Sequence, residues 1–247
     1  MYQTAIDQFA ETAAAKVRAM RHNPLGFLIA SIMAGAYIGV AIILVFSLGQ
    51  MADPSMRPLV MGVSFGLALL LVVFAGAELF TGHTMAMTWV GNLVGSVLVA
   101  ALFVMGGGGQ ILKEGADFLY ATAGAKMAAA PMALLARGIL CNWLVCLALW
   151  TSSRAKDDAA KCILISWCLF AFIASGYEHS VANMTVFALA QLGHHPESIT
   201  LAGAAYNLFW VTLGNIIGGA VFVAAGYWQA NGRQVSLASG AVAEPAE

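Results

Sequence analysis

Six apolar stretches, most of them about as long as a bilayer core is thick, alternate with short polar punctuation along this chain. The first covers 25–48, introduced by Asn23-Pro24, and a polar turn at 50–58 carries Asp53, Pro54 and Pro58. The second covers 59–80, the third about 88–105, the fourth 131–150, the fifth 162–192 and the sixth about 206–228. A transmembrane helix needs about 20 mostly apolar residues. Two of the stretches are interrupted. The second runs into Gly76-Ala77-Glu78-Leu79-Phe80-Thr81-Gly82-His83, and the fifth is split by Ser175-Gly176-Tyr177-Glu178-His179-Ser180. The thirteen residues 162–174 are too few to cross alone. Non-helical backbone at membrane depth survives only where protein buries it or water reaches it, and ionisable groups there face a cavity or a partner. The island at 175–183 is therefore predicted to be the middle of a permeation path.

Ahead of the first span, Tyr2, Ile6, Phe9, Ala13 and Val17 recur at helical spacing. They predict an amphipathic helix over 1–22, on the membrane surface or beneath a neighbouring subunit. The stretches at 106–109, 113–117 and 152–161 read as loops and turns. The polar, small-residue-rich 229–247 predicts a disordered tail.

Composition fixes the class. Of 247 residues, 61% are apolar and 9% charged, against about 25% charged in a soluble domain. The chain is predicted to be an all-α polytopic membrane protein with 23–228 as its transmembrane domain. A net charge of −1 gives no ground for a nucleic-acid partner, and none is expected. The opening residues are polar and amphipathic, unlike a cleaved signal peptide. Cys141, Cys146, Cys162 and Cys168 lie in or at apolar runs without metal-ligand spacing and read as small buried hydrophobes, so no metal or cofactor is expected. With six spans both termini share a side. That side collects Lys16, Arg18, Arg21, Arg154, Lys156, Lys161 and Arg233, against Arg57, Lys113 and Lys126 opposite. The excess of positive charge predicts that both termini are cytoplasmic.

Two echoes recur in the same order. Gly76-Ala77-Glu78 resembles Gly176-Tyr177-Glu178, and Gly91-Asn92-Leu93-Val94-Gly95 resembles Gly214-Asn215-Ile216-Ile217-Gly218. Each is weak alone, because Gly-x-x-x-Gly is common in membrane helices. In register with two three-span halves they suggest duplication, and three being odd, the halves must be inverted. Paired broken helices of an inverted repeat meet near the midplane. Two half-helix N-termini are then expected at the centre, where free N–H groups favour an anion.

These residues also carry a family resemblance. Glu78-Leu79-Phe80-Thr81-Gly82-His83, Arg137 to Cys146, Ala174 to Met184 and Gly214 to Gly219 resemble the signatures of the formate/nitrite transporter family, over roughly 20–228. Asn23-Pro24-Leu25-Gly26-Phe27, Gly82-His83-Thr84 and Gly193-His194-His195 stand nearer to its nitrite channels than to its formate or hydrosulfide branches. The resemblance implies an aquaporin-like fold of six spans, assembled as a homopentamer with one pore per subunit, in a bacterial inner membrane. It also brings out a departure. The family has a half-helix, a loop and the start of span three after the Thr-Gly-His turn, where this sequence has only 84–90. Either the segment is deleted, which would alter the cytoplasmic half of the pore, or a piece of chain is omitted.

His179 is the leading site residue, since a histidine in an anion-attracting cavity can protonate a weak-acid anion near neutral pH; the structural alternative is a histidine bonded to backbone at the break. Thr81 is expected to bond the passing anion or His179, or to cap the following half-helix. Glu78 and Glu178 are read as structural, tying down backbone N–H groups. The resemblance implies apolar constrictions at Phe65, Leu69, Leu79 and Phe172. Asn142 and Asn215 read as buried interhelical amides, and the resemblance places Asn215 near the pore. Lys126 is expected to draw anions to the outer mouth. His83 is left structural, and the adjacent His194 and His195 make no metal site.

The function expected is a passive or proton-linked channel for nitrite or a similar small monovalent weak-acid anion, with protons as co-substrate and the lipid bilayer as surroundings. The neutral acid crosses apolar rings far more cheaply than the ion. The rivals are a formate or hydrosulfide channel of the same family, a neutral-solute channel of aquaporin type, and a membrane redox enzyme with histidine-ligated haem.

Overall fold

The structure, a computed structural model, describes residues 2–232. The tail expected over 229–247 falls outside the described residues from 233 onward.

The described chain is helical: α1 (Gln3–His22), α2 (Pro24–Met51), α3 (Arg57–Ala75), a 3₁₀ turn (Phe80–Gly82), α4 (Ala86–Met105), α5 (Ala116–Ala128), α6 (Pro131–Arg154), α7 (Asp158–Ala174), α8 (Ser180–Leu192), α9 (Leu201–Ile217), a π segment (Gly218–Ala225) and α10 (Gly226–Ala230). Five helical stretches are long and apolar enough to cross a membrane: α2, α3, α4, α6 and the continuous run from α9 through α10. The fifth span is α7 plus α8, broken where the sequence predicts. Local chemistry sets the starts. Pro24 and Pro131 open α2 and α6, and Asn23, Asp157 and Thr200 cap α2, α7 and α9 by accepting a backbone N–H.

The packing is that of two inverted halves. Helix α2 lies along α4, α6 lies along α9, and α3 and α7 face each other across the centre. Small residues permit the close approaches. A methyl group on Gly35 or Gly95 would run into the backbone of the opposing helix, as expected where van der Waals packing holds membrane helices together.

Helix α1 packs beneath its own subunit. Trp150 stacks on Phe9 at 5.6 Å and on Tyr227 at 4.1 Å, and Asn231 Nδ2 donates to Gln3 Oε1 at 2.6 Å. The first and last described helices therefore meet at the same end of the bundle, beside the turn between α6 and α7.

Three expectations are revised. Helix α5 forms where only loop residues and no helix are expected; five of its thirteen residues are alanine, the strongest helix former. The sixth span starts earlier, at the Thr200 cap, and passes through a π segment. Most importantly, the first break, at the end of α3, is not followed by a half-helix. The chain passes from the 3₁₀ turn through 83–85 straight into α4 at Ala86, so among the described residues α8 is the only half-helix and one half-helix N-terminus reaches the centre.

Both breaks use a left-handed glycine, Gly76 at φ 76° and Gly176 at φ 69°, with open space where a Cβ would stand. Any cost of a side chain there is conformational. Gly176→Ala is expected to destabilise the protein by about 1–2 kcal/mol, while Gly124→Ala inside α5 is neutral or slightly stabilising. Thermal unfolding in detergent separates the two.

Candidate functional site at the paired breaks

A helix that stops inside a membrane leaves backbone groups without partners, and nothing in the lipid can supply them. Here both breaks are satisfied by the same set of bonds. Ala77 N donates to Val72 O and Tyr177 N to Phe172 O, each at 3.0 Å. Glu78 N donates to Ala30 O at 3.1 Å, and Glu178 N to Arg137 O at 3.3 Å. Asn92 Oδ1 accepts from Phe80 N, and Asn215 Oδ1 from Ser180 N, both at 2.9 Å. Asn92 Nδ2 donates to Ser31 O and Glu78 O, while Asn215 Nδ2 donates to Gly138 O and Glu178 O. The echoes visible in the sequence are thus one hydrogen-bonded device built twice in opposite orientation.

In that correspondence Leu79 stands where His179 stands. Both line a small enclosed cavity with Ile38, Val145, Leu69, Leu169, Phe65 and Phe172. The cavity holds about 10 Å³, at the threshold for a single water molecule. Phe65 meets Phe172 edge-on at 5.5 Å, and Phe172 lies parallel to the His179 ring at 5.8 Å. All four residues expected to form constrictions line this cavity.

His179 is 4% exposed. Its Nδ1 accepts from Ala182 N at 3.1 Å and caps α8. Nδ1 is thereby the acceptor nitrogen, and the proton of the neutral ring sits on Nε2. Nε2 lies 3.1 Å from Thr81 Oγ1. The structural and chemical readings of this histidine therefore coexist, one on each nitrogen. Thr81 caps no half-helix, because none follows it.

The glutamates stay clear of the cavity but bind side chains rather than backbone N–H groups. Glu78 pairs with Lys16 of α1, and His83 Nε2 stands 3.2 Å from the same oxygen and 3.1 Å from Thr88 Oγ1. Glu178 Oε2 accepts from Lys126 at 2.7 Å and from Asn183 at 2.6 Å. Asn183 also donates to Asn207, whose amide donates to the Lys126 carbonyl. A carboxylate 3% exposed needs charged or polar partners, and these supply them.

Two pathway expectations change accordingly. Lys126 is not a free charge at a mouth, since it sits in α5 with its amine on Glu178. Asn215 is fully buried with both polar atoms committed to backbone. Asn142 Nδ2 donates to Asn215 O at 2.7 Å, as an interhelical amide should. Sequence reasoning does not single out Ile38, Val145, Lys16, Asn183 or Asn207. The repeat could have found the first two, because an offset of 107 residues relates Ala30 to Arg137 and Ile38 to Val145.

Paired breaks, an enclosed apolar centre and one titratable ring define a membrane channel of the inverted-repeat type. The chain belongs to the formate/nitrite transporter family. The family model described as "Formate/nitrite transporter" matches residues 3–89 and 86–229. The nitrite transporter NirC of Escherichia coli (strain K12) is 52% identical over 250 positions, covering 93% of this chain and 92% of its own. NirC of Salmonella typhimurium (strain LT2) is 49% identical, covering 99% and 98%. Among solved structures, an "FNT family ion channel" superposes with TM-score 0.89 at 52% identity, covering 92% of this chain and 98% of its own. A "Pentameric formate channel with formate bound" superposes with TM-score 0.72 at 27% identity, covering 83% and 96%. The family match falls into two pieces that meet at 86–89, where the half-helix is missing. Since 93% of 247 residues is about 230, about 20 of the 250 aligned positions of the Escherichia coli relative have no counterpart in this chain.

Lys126→Ala leaves the Glu178 carboxylate buried and unpaired, at an expected cost of about 3–5 kcal/mol. Adding Glu178→Gln to a Lys126→Met variant should recover most of the loss, read as thermal unfolding of the detergent-solubilised protein.

Proposed function

We propose that this protein is a nitrite channel of a bacterial inner membrane, working as a homopentamer with both termini in the cytoplasm. The single observation that carries the mechanism is His179, buried beside the apolar cavity with Nε2 on Thr81. The identity to the two NirC transporters supports nitrite, and the likeness to a pentameric formate channel supports the assembly. The side of the bundle where α1, the α6–α7 turn and α10 meet carries the excess of Lys and Arg, which supports the orientation.

The proposed cycle follows from the ring's two nitrogens. A bare anion pays heavily to enter a cavity lined by Phe65, Leu69, Leu79 and Phe172. The N-terminus of α8 and an imidazolium at His179 offset that cost as the anion arrives. To become imidazolium the ring takes a proton on Nδ1, which sets that hydrogen against the Ala182 N–H. The cation is thus held poorly and gives up its Nε2 proton readily. The proton passes to the nitrite oxygen, Nε2 accepts the Thr81 hydroxyl, and neutral nitrous acid crosses the rings. Loss of the Nδ1 proton and a return of a proton to Nε2 reset the site.

His179→Phe fills the same space without a proton. Nitrite flux into liposomes holding this variant is expected to fall by about 100-fold, the usual size of an acid–base contribution, and to lose its dependence on pH. Flux equal to the parent's at every pH tested would show that the ring is not needed.

A second reading within the family is a formate channel, favoured by 32% identity to the Escherichia coli formate channel FocA over 85% of this chain. Competition by formate against nitrite in the same liposomes decides between them.

A further inference from the structure

The inverted repeat shows what the missing half-helix leaves behind. On α2, Gly39 is covered by Val99 of α4 and by α8, whose Thr185 Oγ1 lies 3.2 Å from where the Gly39 Cβ would stand. The 107-residue offset puts Cys146 of α6 at the matching position. No half-helix roofs it. Its thiol reaches the turn after the break instead, with Sγ 3.5 Å from the Thr81 carbonyl oxygen. Helix α6 and the 3₁₀ turn are in contact, and neighbouring Val145 lines the central cavity. Gly219, across from Cys146, has no side chain; a methyl there would stand 2.9 Å from the sulfur and 2.9 Å from Asn142 Nδ2. The thiol is therefore boxed between Gly219 and the Thr81 carbonyl.

We propose that Cys146 is a positioning residue for Thr81. Its S–H donates to the Thr81 carbonyl and fixes the turn so that the Thr81 hydroxyl meets His179 Nε2. The contact stands in for support that α8 gives the other break. The inference rests on the reading that His179 exchanges a proton with the permeating anion, because only then does the Thr81 hydroxyl matter to flux.

The test uses the full-length protein in liposomes, with nitrite flux measured across a pH series for the parent, Cys146→Ala, Cys146→Ser, Thr81→Ala and the Thr81→Ala/Cys146→Ala double variant. Cys146→Ala is expected to lower flux about threefold, the worth of one weak hydrogen bond, and to shift the pH profile. Cys146→Ser, which keeps a donor, restores both. In the Thr81→Ala background, Cys146→Ala should add nothing, the signature of residues acting through one another. The inference is overturned if the two losses multiply, if serine rescues no better than alanine, or if Cys146→Ala leaves rate and profile unchanged. The cysteine–serine comparison decides even where the alanine variant fails to assemble. A parent whose nitrite flux ignores pH would instead sink the proton-exchange reading, so the two failures are distinguishable.

Discussion

A broken helix inside a bilayer survives only if the protein itself satisfies the backbone groups that the break frees. Here that duty falls on two asparagines, Asn92 and Asn215, in mirrored positions. Each accepts from the first amide beyond its glutamate-containing break and donates to two carbonyls, one on the break and one on the first span of its half. With the breaks pinned, residues 79 and 179 are aimed at the same point between α3 and α7. Duplication makes that point symmetric in backbone, and one substitution, leucine on one side and histidine on the other, makes it asymmetric in chemistry.

The charges are sorted by the same device. Glu78 and Glu178 follow the left-handed glycines and turn away from the cavity, where Lys16 and Lys126 meet them from α1 and α5. Each half thus opens with an amphipathic or alanine-rich helix that delivers a lysine to its own break. Anionic charge is neutralised outside the path, and the path keeps only apolar walls, the Thr81 hydroxyl and the His179 ring. The direct passage from the first break into α4 leaves this frame intact. Asn92 and Lys16 still hold the turn, and Cys146 reaches it from α6.

Much of this was legible in the sequence, for reasons that differ by residue. The spans follow from apolar length alone. The breaks follow from a glutamate and a histidine where a membrane helix tolerates neither without a partner. The Gly-Asn echo marks the two asparagines, although their work on backbone rather than on a passing anion needs coordinates. Lys126 reads as a charge at the outer mouth because its partner lies 52 residues away, beyond any local pattern. Helix α5 escaped because its alanines carry no strong period. The vacated half-helix showed as a shortage of residues at 84–90, but the thiol that faces the turn there has no signature in a run of apolar residues.

The account's centre is the meeting of a small anion with Nε2 of His179 inside a closed apolar cavity. The most direct test is the ¹⁵N magnetic resonance spectrum of the His179 ring in the reconstituted protein as nitrite is added. A neutral ring protonated on Nε2 without nitrite, and a shift of that nitrogen on addition, are the predicted results. Ring signals unchanged at saturating nitrite, in a preparation that conducts it, would place the anion's route elsewhere and contradict the account.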